Sequence, residues 1–268
     1  MQVIIFDEAQ QVAAHAAQWV SELLQKNSKP VLGLATGSTP IALYKNLVGM
    51  HNDQQLSFKN ATSFNLDEYH NIDPNNAQSY RSFMNTHLFD SVDIDLANTH
   101  LPTCSGDENP RDQGLKYEQA IKDAGGIDLQ ILGLGANGHI GFNEPTSSLV
   151  SKTRIKTLTE QTIKDNSRLF SKDEHQPDMA MTMGIGTIMN SRYVLLMATG
   201  ENKAAAVNDM ITGPLSAMCP ASALQMHENA IIILDKAAAS QLADKSYYQW
   251  ADKQNSLVNK RYGLYHNY

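Results

Sequence analysis

The strongest constraint on the fold is a repeated change of period along the chain. Short apolar runs alternate with stretches whose apolar residues recur every three or four positions. Val3–Phe6, Pro30–Ala35, Thr62–Leu66, the run from Ile127, Arg192–Thr199 and Asn229–Asp235 read as buried strands. One intervening stretch places Val12, Ala16, Val20 and Leu23 on a single helical stripe, with Asp7 positioned to cap it. Helices are also expected near Ser79–Phe89 and Leu115–Ala124, separated by a loop with Pro102, Gly106 and Pro110. Thr153–Leu158 reads as a short strand, and the polar stretch from Thr159 to Asp178 as a mobile segment. No Pro/Gly/Ser-rich linker interrupts the pattern. Strands alternating with helices imply a single α/β domain over residues 1–268, with a largely parallel sheet covered on both faces.

Composition narrows the function. With 268 residues, 42% of them hydrophobic, the chain can bury a sizeable core. A net charge of −7 argues against a nucleic-acid or anionic-membrane surface. It leaves room for a small phosphorylated ligand, which needs only a local cationic pocket. Cys104 and Cys219 are too few for a disulfide framework, which points to a reducing, cytoplasmic setting. No signal peptide or membrane span is expected.

Three motifs sit where strands end, and ligands of open parallel sheets bind at carboxyl ends. The central one is Ile127–Pro145, IDLQILGLGANGHIGFNEP: a strand breaking into glycines, with Asn137, His139, Asn143 and Glu144 gathered on the loop. An amide or carboxylate can hold one ring nitrogen of His139 and leave the other free as acid or base. Gly133, Gly135 and Gly138 match the dinucleotide-binding spacing, but Pro145 interrupts the helix that motif must open, so that reading is rejected. A metal site from Asp67, His70, His139 and Glu144 lacks a recognisable ligand spacing, and none is expected. The second motif, Thr36–Pro40, joins a strand to a helix. The free N–H groups of Gly37, Ser38 and Thr39 would form an anion site there, or the stretch is simply a capped helix start. In the third, Phe64–His70, Asp67 comes first after an apolar run and is the better candidate base. Glu68 reads as a helix-capping or solvated acid.

ATGSTP, FNLDEYH and LGLGANGHIGFNEP, in this order, resemble the glucosamine-6-phosphate deaminases (isomerases), and the likeness continues through TRIKTL, NSRLF, TGENKA and PASALQ. The resemblance implies a doubly wound Rossmann-like fold and conversion of glucosamine 6-phosphate to fructose 6-phosphate and ammonia, without cofactor. It implies that His139, oriented by Asn137 and Glu144, opens the pyranose ring, and that Asp67 moves the C2 proton to C1. It places the phosphate on Gly37, Ser38 and Thr39, with Arg168 and Lys203 as cationic partners. Arg168 lies in the polar segment, which would then be a lid over about 159–178. Some members have Asp where this chain has Asn137, which supplies no charge to His139. Ser147, Arg154, Lys156 and Thr157 match residues that bind N-acetylglucosamine 6-phosphate in allosteric members. On that likeness the chain is expected to form a homo-oligomer, a hexamer among the options, with Tyr247 or Tyr248 near the effector. The alternative for Arg154 and Lys156 is a solvated basic edge strand. The FNEP sequence after GHIG speaks against a lactonase or a galactosamine-6-phosphate isomerase. Asp67, His139 and Glu144 together speak against a mere sugar-phosphate sensor.

Overall fold

A computed structural model describes residues 1–160, 163–164 and 176–262. The chain runs β1 (Gln2–Phe6), α1 (Ala9–Lys26), β2 (Val31–Leu34), α2 (Ser38–Asn52), β3 (Thr62–Asn65), β4 (Asp67–Tyr69) and α3 (Tyr80–His87). It continues through β5 (Thr99–His100), α4 (Pro110–Asp123), β6 (Leu129–Gly133), β7 (Arg154–Thr157) and β8 (Met179–Thr182). The last elements are α5 (Ile185–Ile188), β9 (Tyr193–Ala198), α6 (Ala204–Thr212), β10 (Ala230–Asp235) and α7 (Lys245–Tyr262).

Seven strands form one sheet in the order β1-β10-β9-β6-β2-β3-β5, every pair parallel. All six residues of β10 are buried, so both faces of the sheet are covered, as an all-parallel sheet requires. From β2 the chain winds outward through β3 and β5. It then returns to the other side of β2 and winds outward through β6, β9 and β10. The winding reverses between β2 and β6, and a reversal opens a crevice beyond the strand ends.

A second, three-stranded antiparallel sheet, β4-β8-β7, was not anticipated. Its cause lies in the third motif. The expected strand Thr62–Leu66 stops at Asn65, because Leu66 crosses between the sheets. Its N–H donates to Leu34 O in the large sheet (3.0 Å), and its carbonyl accepts from Met183 N beside the small one (2.6 Å). Asp67 is therefore the first residue of the small sheet.

Other boundaries also differ. Glu8, not Asp7, caps α1, and its N–H donates to the Gln11 side chain at 3.0 Å. α4 starts at Pro110 rather than Leu115. Pro110 needs no N–H donor in the first turn, and Asn109 Oδ1 caps by accepting from Arg111 N at 2.9 Å. Glu68 does cap a helix, but from a buried position. Its carboxylate accepts from Tyr80 N (3.0 Å) and Arg81 N (2.9 Å) at the start of α3. Arg168 and most of the segment 159–178 lie outside the described residues.

Candidate active site

The expected site residues gather at the carboxyl ends of four adjacent strands, β9, β6, β2 and β3, astride the β2/β6 reversal. After β2, Gly37 takes φ +95°, a left-handed value natural to glycine, and turns the chain into α2, whose first residues are Ser38 and Thr39. These backbone N–H groups belong to the unsatisfied first turn of a helix. Gly133 brings this turn against β6: a methyl on Gly133 would lie 3.8 Å from the Thr39 side chain. Lys203 follows β9, on a loop anchored where Gly200 N–H donates to both carboxylate oxygens of Asp235 (3.1 and 3.0 Å). Lys203 is half-buried, and burial lowers the pKa of its ammonium. A cation partly withdrawn from water is primed for an anion.

The loop after β6 is wired residue by residue. Asn137 Oδ1 accepts from His139 Nδ1 at 2.7 Å, and Asn137 Nδ2 donates to Glu144 Oε2 at 2.8 Å. The carboxylate can only accept, so the amide must present its NH2 there and its oxygen to the ring. His139 therefore carries its proton on Nδ1 when neutral, and Nε2 is left as a proton acceptor. Glu144 is buried, and its Oε2 lies 3.5 Å from Nδ1, which supplies the charge that Asn137 lacks once the ring is protonated. Gly135 makes room for the ring: a methyl there would meet it at 2.2 Å.

The next residues divide the labour of holding the loop. Gly141, at φ +56°, lies over Asp67, and a methyl on it would come within 3.3 Å of Asp67 Oδ2. Phe142 enters a small apolar cluster, stacking on Tyr80 and meeting Tyr69. Its N–H donates to Thr182 Oγ1 at 3.1 Å. Asn143 is wholly buried, donating to Ile140 O and Met183 O (both 2.9 Å) and accepting from Arg154 Nη1 (2.9 Å). In the small sheet Asp67, Thr182 and Arg154 stand opposite one another, so their side chains share one face.

Asp67 is a strongly perturbed acid. Burial, and then the charge of Glu68, raise its pKa from 3.8 to about 8. Burial raises Glu68 as well, opposed by the N–H donors of Tyr80, Arg81 and Tyr69. A carboxyl poised near neutrality in a cleft is a candidate base. Among the described residues, no three His, Cys, Asp or Glu side chains cluster as metal ligands would.

The structure thus brings Asp67, Asn137, His139 and Glu144 into one loop-and-strand assembly, with Gly37, Ser38, Thr39 and Lys203 on flanking strand ends. Arg168 lies outside the described residues. The effector candidates fare unevenly. Arg154 is half-buried and engaged with Asn143, so it is not part of a solvated basic edge. Ser147 is buried, and its hydroxyl has no hydrogen-bond partner among the described residues. Lys156 lies two residues from Arg154 on β7, sharing its face. Sequence reasoning missed Thr182, which lies in an apolar run without motif character. It also left Gly141 and Asn143 without roles, although their presence in GHIGFN was a visible signal.

Comparison with known proteins places the whole chain in a family. The sequence profile of the family "Glucosamine-6-phosphate isomerases/6-phosphogluconolactonase" matches residues 7–233. A glucosamine-6-phosphate deaminase of Colwellia psychrerythraea is 69% identical over the full length of both chains. One from Pseudoalteromonas translucida is 60% identical over 98% of each. Among solved structures, a monomeric glucosamine-6-phosphate deaminase superposes with a TM-score of 0.86 at 38% identity, covering 90% of this chain and 99% of its own. A 6-phosphogluconolactonase from Thermotoga maritima, 19% identical, shares the fold with a TM-score of 0.68 over 88% of this chain and 99% of its own. The chain belongs to the glucosamine-6-phosphate isomerase/6-phosphogluconolactonase family.

Proposed function

We propose that this protein is a glucosamine-6-phosphate deaminase of amino-sugar catabolism, converting glucosamine 6-phosphate and water to fructose 6-phosphate and ammonia. The observation that carries the reading is the pairing of a buried, high-pKa Asp67 with the His139–Asn137–Glu144 relay across Gly141. Two proton shuttles open the ring and isomerise the sugar, and water completes the reaction. His139 Nε2 takes the anomeric proton and returns it to the ring oxygen as the pyranose opens, steadied by Glu144. Asp67 then takes the C2 proton as the C1 carbonyl oxygen gains one, giving an enediol-type intermediate with nitrogen on C2 (an enolamine), and delivers the proton to C1; water adds to the resulting C2 imine and ammonia leaves. Neither step calls for a metal or organic cofactor. The substrate phosphate lies on the N–H groups of Gly37, Ser38 and Thr39, with Lys203 as counter-charge. Both cysteines are free, consistent with a reducing cytoplasmic location. No described helix is long and apolar enough to cross a membrane.

The test is a purified-protein assay offering glucosamine 6-phosphate and 6-phosphogluconolactone in parallel. Equimolar ammonia and fructose 6-phosphate from the first, with no acceleration of hydrolysis of the second, supports the reading. Lactone turnover without ammonia release overturns it.

A second element of the reading is activation by N-acetylglucosamine 6-phosphate in a homo-oligomer, with a hexamer as one form. Support comes from Arg154, which shares a face with Lys156 and reaches the active loop through one hydrogen bond to Asn143. A phosphate drawn to Ser147, Arg154, Lys156 and Thr157 would act on that loop directly, and activation requires tighter binding to the active form. Exposed Tyr247, Trp250 and Leu257 on α7 are suited to contact with another subunit. Saturation kinetics with and without the effector, together with solution mass, decide it. A monomer indifferent to the effector removes this element alone.

A further inference from the structure

Glu118 lies on α4, outside the residues assigned above, yet its carboxylate is a hub. Oε1 accepts from Thr153 N (2.8 Å), Thr153 Oγ1 (2.6 Å) and Thr187 Oγ1 (2.5 Å), and Oε2 lies 3.9 Å from Lys152 Nζ. One helical turn earlier, Gly114 lets α4 close on the same residue: a methyl there would meet Thr153 O at 2.4 Å. From the opposite side, Gly186 N donates to Ser151 O at 2.9 Å, and a methyl on Gly184 would meet Ser151 O at 2.2 Å. The segment leading into β7 is thus clamped between α4 and the turn at Gly184–Thr187.

The clamp leads to the chemistry in three steps. Thr153 is buried and precedes Arg154. Arg154 Nη1 donates to Asn143 Oδ1, and Asn143 Nδ2 donates to Ile140 O, beside His139. Glu144 follows Asn143 directly. We propose that Glu118 is a positioning residue for the deamination: its carboxylate sets Thr153, hence Arg154, hence the Asn143-held loop carrying His139 and Glu144. This inference rests on the deaminase reading. Relays of this kind act on rate more than on binding, because a displacement of order 1 Å at reacting groups can cost about 10²-fold. The phosphate cradle, at the start of α2, is not part of this chain of contacts.

The experiment compares wild type, E118A and E118Q without effector, each well below its unfolding midpoint. In E118Q the amide oxygen keeps the acceptor position of Oε1, with two lone pairs to share among the three donors, so most of the clamp survives and kcat should stay within about threefold of wild type. In E118A kcat should fall by about tenfold or more, with KM changing less than about threefold. If E118A is too unstable to isolate, E118D gives the same reading, because its shorter arm cannot reach Thr153 and Thr187 together. Adding E118A to R154M should cost no more than about twofold beyond R154M alone, since both cut one path. Unchanged kcat in the shortened variants, a loss confined to KM, or multiplicative losses in the double variant overturn the proposal. A wild type releasing no ammonia instead overturns the deaminase reading, so the two failures are distinguishable.

Discussion

Replacing Asp67 by Asn separates the chemistry of the site from its cost to the fold. Asn is close to isosteric with Asp but cannot take a proton from carbon, so turnover should fall by at least ~10²-fold. The stability effect has the opposite sign. Burial, reinforced by the charge of Glu68, lifts Asp67 from 3.8 to about 8. At about 1.4 kcal/mol per pH unit, ionising it in the fold rather than in water costs about 5 to 6 kcal/mol. Between roughly pH 4 and pH 8 the folded chain holds this proton and the unfolded chain has lost it. Stability from this group is therefore greatest at low pH, declines as pH rises through that window and levels off above about pH 8. D67N has no such proton. Its stability advantage over wild type should grow by about 4 kcal/mol between pH 5 and pH 8. Urea unfolding of both proteins across that range, read beside ammonia release, measures the two effects. Parallel stability profiles would refute the raised pKa, and near-normal turnover in D67N would remove Asp67 as the base.

The remaining expectations concern its neighbours. In wild type kcat/KM should climb with pH as Asp67 ionises, half-way at about pH 8 and levelling off above it. E68Q, lacking the second cause of the upward shift, should move that limb to lower pH, and an unmoved limb would show that Glu68 does not act on Asp67. K203A should weaken fructose 6-phosphate binding by about tenfold or more while leaving unphosphorylated fructose analogues unaffected, as titration calorimetry can show. Equal losses on both would dismiss Lys203 as a phosphate partner. G135A should fold, because the three atoms nearest its methyl all belong to the His139 side chain, yet displace that ring and depress kcat by about 10². Retained activity in G135A would mean that the ring position is not critical.

What the sequence disclosed, and what it hid, follows from the range of the interactions involved. The parallel sheet was legible because strands such as Ala230–Asp235 are buried on both faces and read as unbroken apolar runs. Asp67 and the His139 loop were legible because polar residues directly follow such runs. The small sheet was not. β8, MAMT, is four residues long and has no alternation, and its partners β4 and β7 are remote in sequence. Leu66 looked like strand continuation, and only its carbonyl bond to Met183 shows that the chain changes sheets there. Glu68 read as a helix-capping or solvated acid; it does cap, but its burial and the helix it serves were hidden because its partners, the first N–H groups of α3, lie twelve and thirteen residues away. Arg154 read as an effector ligand or a solvated edge cation, and its bond to Asn143 was hidden because tertiary folding brings the two together.

The central claim is that Asp67 moves the C2 proton while His139 opens the ring, and an isotope label at C2 tests it most directly. Glucosamine 6-phosphate deuterated at C2 should react more slowly than the protonated sugar. It should yield ammonia with a ketose whose C1 carries part of the label, the rest having exchanged with water on Asp67. D67N should release neither product at an appreciable rate. Ammonia accompanied by an aldose that keeps its label at C2, with no isotope effect, would contradict the account.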